Sequence, residues 1–77
     1  MEPKIDWVLR VSVGDRSGYL SVDYTTGSAV PRLVSRDLAT VVRGTSLELL
    51  RYTEAAQGLL RHRYPGAIVQ GERRELL

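Results

Sequence analysis

Seventy-seven residues and 8.6 kDa leave room for a single domain, 1–77, because a chain half as long could not bury a core of its own. With 43% hydrophobic and 26% charged residues and a net charge of +2, the chain has the composition of a folding domain, basic without being a polycation. Cysteine is absent and His62 is the only histidine, which excludes disulfides and the usual structural zinc ligand sets, so stability must come from packing or from a second subunit.

Ile5, Trp7, Leu9, Val11 and Val13 alternate with Asp6, Val8, Arg10 and Ser12, which predicts a strand over 5–13 with one buried face. The turn cluster Gly14-Asp15-Arg16-Ser17-Gly18 follows. Leu20, Val22 and Tyr24 then alternate with Tyr19, Ser21 and Asp23, giving a second strand over 19–25 and hence a hairpin. Placing both apolar sets on one face sets Val13 opposite Leu20, Val11 opposite Val22 and Leu9 opposite Tyr24. The other face then pairs Arg10 with Asp23 and Ser12 with Ser21, and residues 15–18 form a four-residue loop.

A short strand is expected within 29–34, confined to a sheet edge by Pro31. Ser35 as N-cap, Asp37 in the first turn and the spacing of Val34, Leu38, Val41 and Val42 predict a short helix over 36–43, closed by Gly44. Thr45-Ser46-Leu47-Glu48 fits a capping box. It opens a longer helix over 46–63, with Leu49, Tyr52, Ala56, Leu59 and Leu60 as its apolar stripe and Tyr64-Pro65-Gly66 as its stop. Gly58 inside it costs about 1 kcal/mol relative to alanine and marks either a close backbone contact or a weak point. Residues 67–70 could return as a strand, and 71–77 read as a solvated tail ending in Leu76 and Leu77.

The expected fold class is therefore α+β and two-layered, an antiparallel β-hairpin with a possible third strand packed against a short helix and a longer C-terminal helix, in the order ββ(β)αα(β). Trp7, Leu9, Val11, Leu20 and Val22 are expected to meet Leu49, Tyr52, Ala56 and Leu59.

The chemistry-bearing side chains are few. His62 lies between Arg61 and Arg63, cations that a helix C-terminus favours, and no second histidine or cysteine offers a nucleophile–base pair. Asp15, Asp23 and Asp37 each have a structural explanation, and the glycine cluster at 14–18 lacks both the lysine and the helix of a phosphate loop. No catalytic, cofactor-binding or metal-binding residue is expected, and the chain is not expected to be an enzyme or to take a small-molecule substrate.

Two binding readings remain. Residues 35–52 trace the outline of a helix-turn-helix, in which Thr45, Ser46, Glu48 and Arg51 would face a major groove and Arg36 and Arg43 would lie near phosphates. Thr45 departs from the pattern, which places an apolar residue after the turn glycine. An RNA-stacking sheet is disfavoured, because Trp7 and Tyr24 fall on the face to be covered. Protein contact is the preferred reading: Val8 interrupts the polar outer face, with Arg10 and Tyr19 beside it, and a small domain without staples gains from a partner. The expectation is thus a non-enzymatic regulatory or adaptor module acting through protein–protein contact as a homodimer, with DNA binding as the alternative. Ten of the eleven basic residues are arginine, and Phe and Asn are absent, which suggests a GC-rich genome such as that of an actinobacterium or its phage. No apolar run of membrane-spanning length and no signal-like start are found, so a cytoplasmic location is expected.

Overall fold

The computed structural model describes residues 2–24 and 27–75. Its elements are β1 (Ile5–Val13), β2 (Arg16–Asp23), β3 (Val30–Val34), a 3-10 turn (Arg36–Leu38), β4 (Val42–Gly44), α1 (Ser46–Leu60) and β5 (Ile68–Arg73). The five strands form one antiparallel sheet, β3-β2-β1-β4 with β5 on the other edge of β1. The expected ββ(β)αα(β) arrangement on two helices is therefore corrected to a five-stranded sheet with one α-helix among the described residues. The predicted strand end at Thr25 and the apolar chain end at Leu76 and Leu77 lie outside the described residues.

The hairpin forms with a tighter register than its composition suggested. Val13 pairs with Arg16 and Val11 with Gly18, so Gly14-Asp15 is a two-residue turn, with Gly14 at φ 60. A glycine in that conformation at the first turn position is the type II′ geometry, whose twist matches that of paired strands and outcompetes a four-residue loop. Gly18 remains in the strand for a different reason: a Cβ there would stand 3.2 Å from Leu33 Cβ, so its bareness lets β3 approach. Each pairing shifts by an even number of residues, and Leu9, Val11 and Leu20 still share a face.

Residues 36–43 do not form the expected helix. Ser35 donates its hydroxyl to Asp37 Oδ1 at 2.7 Å and makes no side-chain cap bond, leaving the first turn unsupported. Thr40 is drawn into the sheet instead: its N–H donates to the Leu20 carbonyl at 3.0 Å, and its hydroxyl accepts the Val22 N–H at 3.0 Å. Beyond Tyr19, β2 keeps its pairing with β3 on its other edge but no longer pairs with β1, and β4 takes up the remaining length of β1, setting Val42 opposite Trp7 and Gly44 opposite Ile5. Gly44 thus ends a strand and no helix. The Trp7 indole N–H donates to its carbonyl at 3.0 Å.

The capping box is formed, with the Glu48 N–H on Thr45 Oγ1 at 3.2 Å and the Thr45 N–H on Glu48 Oε1 at 3.1 Å. α1 stops at Leu60 and not at residue 63. The Tyr64 N–H closes back on the Leu60 carbonyl at 2.7 Å, and Gly66 at φ 81 turns the chain toward β5. The supposed tail also joins the sheet, since β5 runs to Arg73 and pairs with β1 from Ser12↔Ile68 to Trp7↔Arg73. Leu9, Val11, Leu20, Ala56, Leu60 and Ala67 form the core under α1, with Val42, Leu49, Tyr64 and Val69 packed against them. Each large side chain buried there contributes about 1.5–3 kcal/mol.

Candidate functional site

The divergence of β2 from β1 leaves the core open along one flank of α1. Tyr52, Ala55, Ala56 and Leu59 form one wall of a groove, and Val22, Tyr24, Thr40 and Val42 form the other. Leu9 and Leu20 floor it. Among the described residues, no carboxylate, guanidinium or amine lines this groove. Its volume is about 160 Å³, below the roughly 300–1,000 Å³ of small-molecule sites and suited to one or two apolar side chains. Tyr24, expected beneath the helix, is instead 69% exposed at the rim. Tyr52 turns its hydroxyl out of the groove to donate to the Arg43 carbonyl at 3.1 Å.

The opposite face gathers three sequence candidates around a residue that was read as tail. Glu72 Oε1 accepts the Tyr19 hydroxyl at 2.8 Å and faces Arg36 Nε at 3.7 Å, while Oε2 lies 3.6 Å from Arg10 Nη1. Arg10 was expected to meet Asp23. It cannot in the tighter register, and Asp23 is 3.5 Å from Arg32 instead. Arg36 also donates to the Arg73 carbonyl, which makes it a strap between the 3-10 turn and β5. Val8, expected to be an exposed protein-contact residue, is 1% exposed. It stands directly opposite Glu72 and shares that face with Arg10, so the stems of the charged side chains seal it. Two guanidiniums held on one carboxylate, each partly solvated, are worth little in stability. The Tyr19 phenol is raised above its ordinary pKa, first by its hydrogen bond to Glu72 and then by burial.

The residues assigned to DNA fall on different elements, Arg36 on the 3-10 turn, Arg43 on β4, and Thr45, Ser46 and Arg51 at or in α1. Thr45 is consumed by the capping box, and Ser46 donates both its N–H, at 3.0 Å, and its hydroxyl to Glu2 Oε1. Arg43 lies 4.0 Å from Asp6 and Arg51 is exposed on α1. With residues 36–44 forming a turn and a strand, the helix-turn-helix outline that grouped these residues is absent. The backbone hydrogen bond from Thr45 holds the Glu48 carboxyl below its usual pKa, and the hydroxyl and N–H of Ser46 do the same for Glu2.

A second cleft of about 320 Å³ is lined by Lys4, Ile5, Asp6, Arg43, Arg73 and Glu75, cations and carboxylates intermixed. His62 is exposed in the turn after α1, and no group of three His, Cys, Asp or Glu stands together among the described residues. Sequence reading missed the groove and the central place of Glu72. The continuing alternation of Val69, Gly71 and Arg73 with Gln70 and Glu72 was the available sign that the last strand runs past residue 70. No helix among the described residues is long and apolar enough to cross a membrane. No family model matches the chain, and no characterised protein or solved structure is significantly similar to it.

Proposed function

We propose that this chain is a small non-enzymatic regulatory or adaptor module of the cytoplasm that acts through protein–protein contact as a homodimer. The groove beside α1 carries the reading. It is a breach in the main core, apolar, free of ionisable carboxylate or amine groups, and of a size for a protruding side chain such as Leu or Phe from a partner protein. The two tyrosines at its rim supply flat contact area at small entropic cost, as interface residues commonly do.

The experiment is a selection of displayed random peptides on the immobilised protein, repeated with Ala55→Arg, which places a charged side chain at the exposed wall of the groove. Peptides sharing one apolar anchor, with binding at least about tenfold weaker on the variant, are expected. Peptides with no common apolar anchor, or equal binding to both proteins, would remove the basis of the reading.

A further inference from the structure

Two outer strands of the sheet, β3 and β5, differ in what they offer a second strand. On β3, the Val22 backbone is turned away from its partner Pro31, because its N–H is bonded to Thr40. Strand alternation then turns Pro31 outward too, near the start of the edge strand, where it has no N–H to give. β3 is blunted against strand addition.

β5 has no such block. The Arg74 N–H reaches inward to the Asp6 carbonyl at 3.0 Å, whereas the carbonyls of Ala67 and Arg73 are taken by the side chains of Gln57, at 2.6 Å, and Arg36. These bonds fix the alternation, so Val69 and Gly71 direct both N–H and C=O away from β1. Neither enters a turn, loop or cap hydrogen bond among the described residues. The edge therefore presents a short window, stopped at both ends by the chain's own side chains, with a donor and an acceptor on each side of Gln70.

Such a window is its own complement under a two-fold rotation. We infer that two copies join by antiparallel pairing of β5 with β5, the axis passing through Gln70, with Val69 of each copy bonded to Gly71 of the other. This rests on the protein-contact reading above and gives its homodimer a seam. Gln70 meets its own copy without like-charge repulsion. Leu50, Thr53 and Gln57 share one stripe of α1, and Gln57 places that stripe beside β5. Leu50 and Ile68, each 59% exposed, would be covered at the seam. The chain exposes 5633 Å², against about 4,700 Å² for a compact monomer of this mass. The difference is near the ~800 Å² that one subunit gives to a standard interface. The groove lies on the other flank of α1, so the dimer would present two grooves facing away from the seam and bind bivalent targets with avidity.

Gln70→Cys tests the seam in a chain without cysteine, because an exposed position is changed and the paired residues on the axis would have Cα atoms about 4.5 Å apart, inside the range a disulfide spans. Mild oxidation of the variant is compared with that of Arg32→Cys on the β3 edge, and the unmodified protein is weighed by sedimentation equilibrium. A dimeric native protein and a Gln70→Cys disulfide forming at least about tenfold faster than the Arg32→Cys one are expected. A native dimer whose Gln70→Cys variant links no faster overturns the seam and leaves the groove reading standing. A native monomer at all accessible concentrations overturns the seam and the homodimer together, and the peptide selection then decides the groove alone.

Discussion

Val8 and Val11 lie three residues apart on β1, on opposite faces of the sheet, and both are closed off from water, at 1% and 0% exposure. The means differ. Val11 sits in an apolar core shared with Leu9, Leu20 and Leu60 under α1, whereas Val8 lies beneath a polar lattice of Arg10, Tyr19, Arg36 and Glu72. A face that carries charged side chains can still bury a valine, because the methylene stems exclude water while the heads remain solvated. Burial on the first face is maintained by interlocking apolar shape. On the second it depends on one carboxylate holding three donors in place.

Paired truncations probe the comparison with the largest expected effect. Leu60→Ala should lower unfolding free energy by about 2–5 kcal/mol, and Val8→Ala by about 1–3 kcal/mol, both read from urea melts. A Val8→Ala loss within the roughly 0.5 kcal/mol scatter of surface changes would show that the outer face does not seal its valine. Within the helix-covered face, two glycines sharpen the contrast between tight and slack packing. A Cβ on Gly71 would fall 2.5 Å from Leu49 Cδ2 and 2.9 Å from its Cγ, so Gly71→Ala should cost about 1–3 kcal/mol. Gly58 has nothing within 4 Å of an added Cβ, so Gly58→Ala should stabilise by up to about 1 kcal/mol in the same melts.

The smallest effect belongs to the polar lattice. Glu72→Gln should change stability by less than about 1 kcal/mol, because its partners are partly solvated. Its signature is the titration of Tyr19, followed by NMR at the ring carbon bearing the hydroxyl. The native phenol should ionise above its ordinary range and return toward it in the variant. Since the folded-state pKa is the raised one, the associated stability is fully present below the unfolded phenol pKa and is lost as pH rises through the folded value. An unchanged Tyr19 titration would show that Glu72 does not govern the lattice.

Much of the fold was legible because its signals are local. Alternation in the two hairpin strands identified β1 and put Leu9, Val11 and Leu20 on one face, and Thr45 with Glu48 identified the start of α1. The hairpin register was misread because Gly14 and Gly18 are equally plausible turn glycines by composition, and what separates them is the positive φ that the two-residue turn gives Gly14 together with the close approach of β3 at Gly18. Of the candidate residues, Arg10 and Tyr19 do share a face, while Val8 was assigned to solvent although its outer-face neighbours cover it. Gly58, left between two explanations, is resolved as a weak point.

The sequence by itself determined which side chains of β1 and β2 share a face, where α1 begins and that Pro31 stands on an edge, since period, capping chemistry and a missing N–H act within a few residues. Tertiary structure alone decided that residues 40–44 would be strand and that Val8 would be covered. Each of those outcomes depends on hydrogen bonds or contacts between segments far apart in the chain, as between Leu20 and Thr40 or Val8 and Glu72, and local preference carries no information about a partner brought near only by folding.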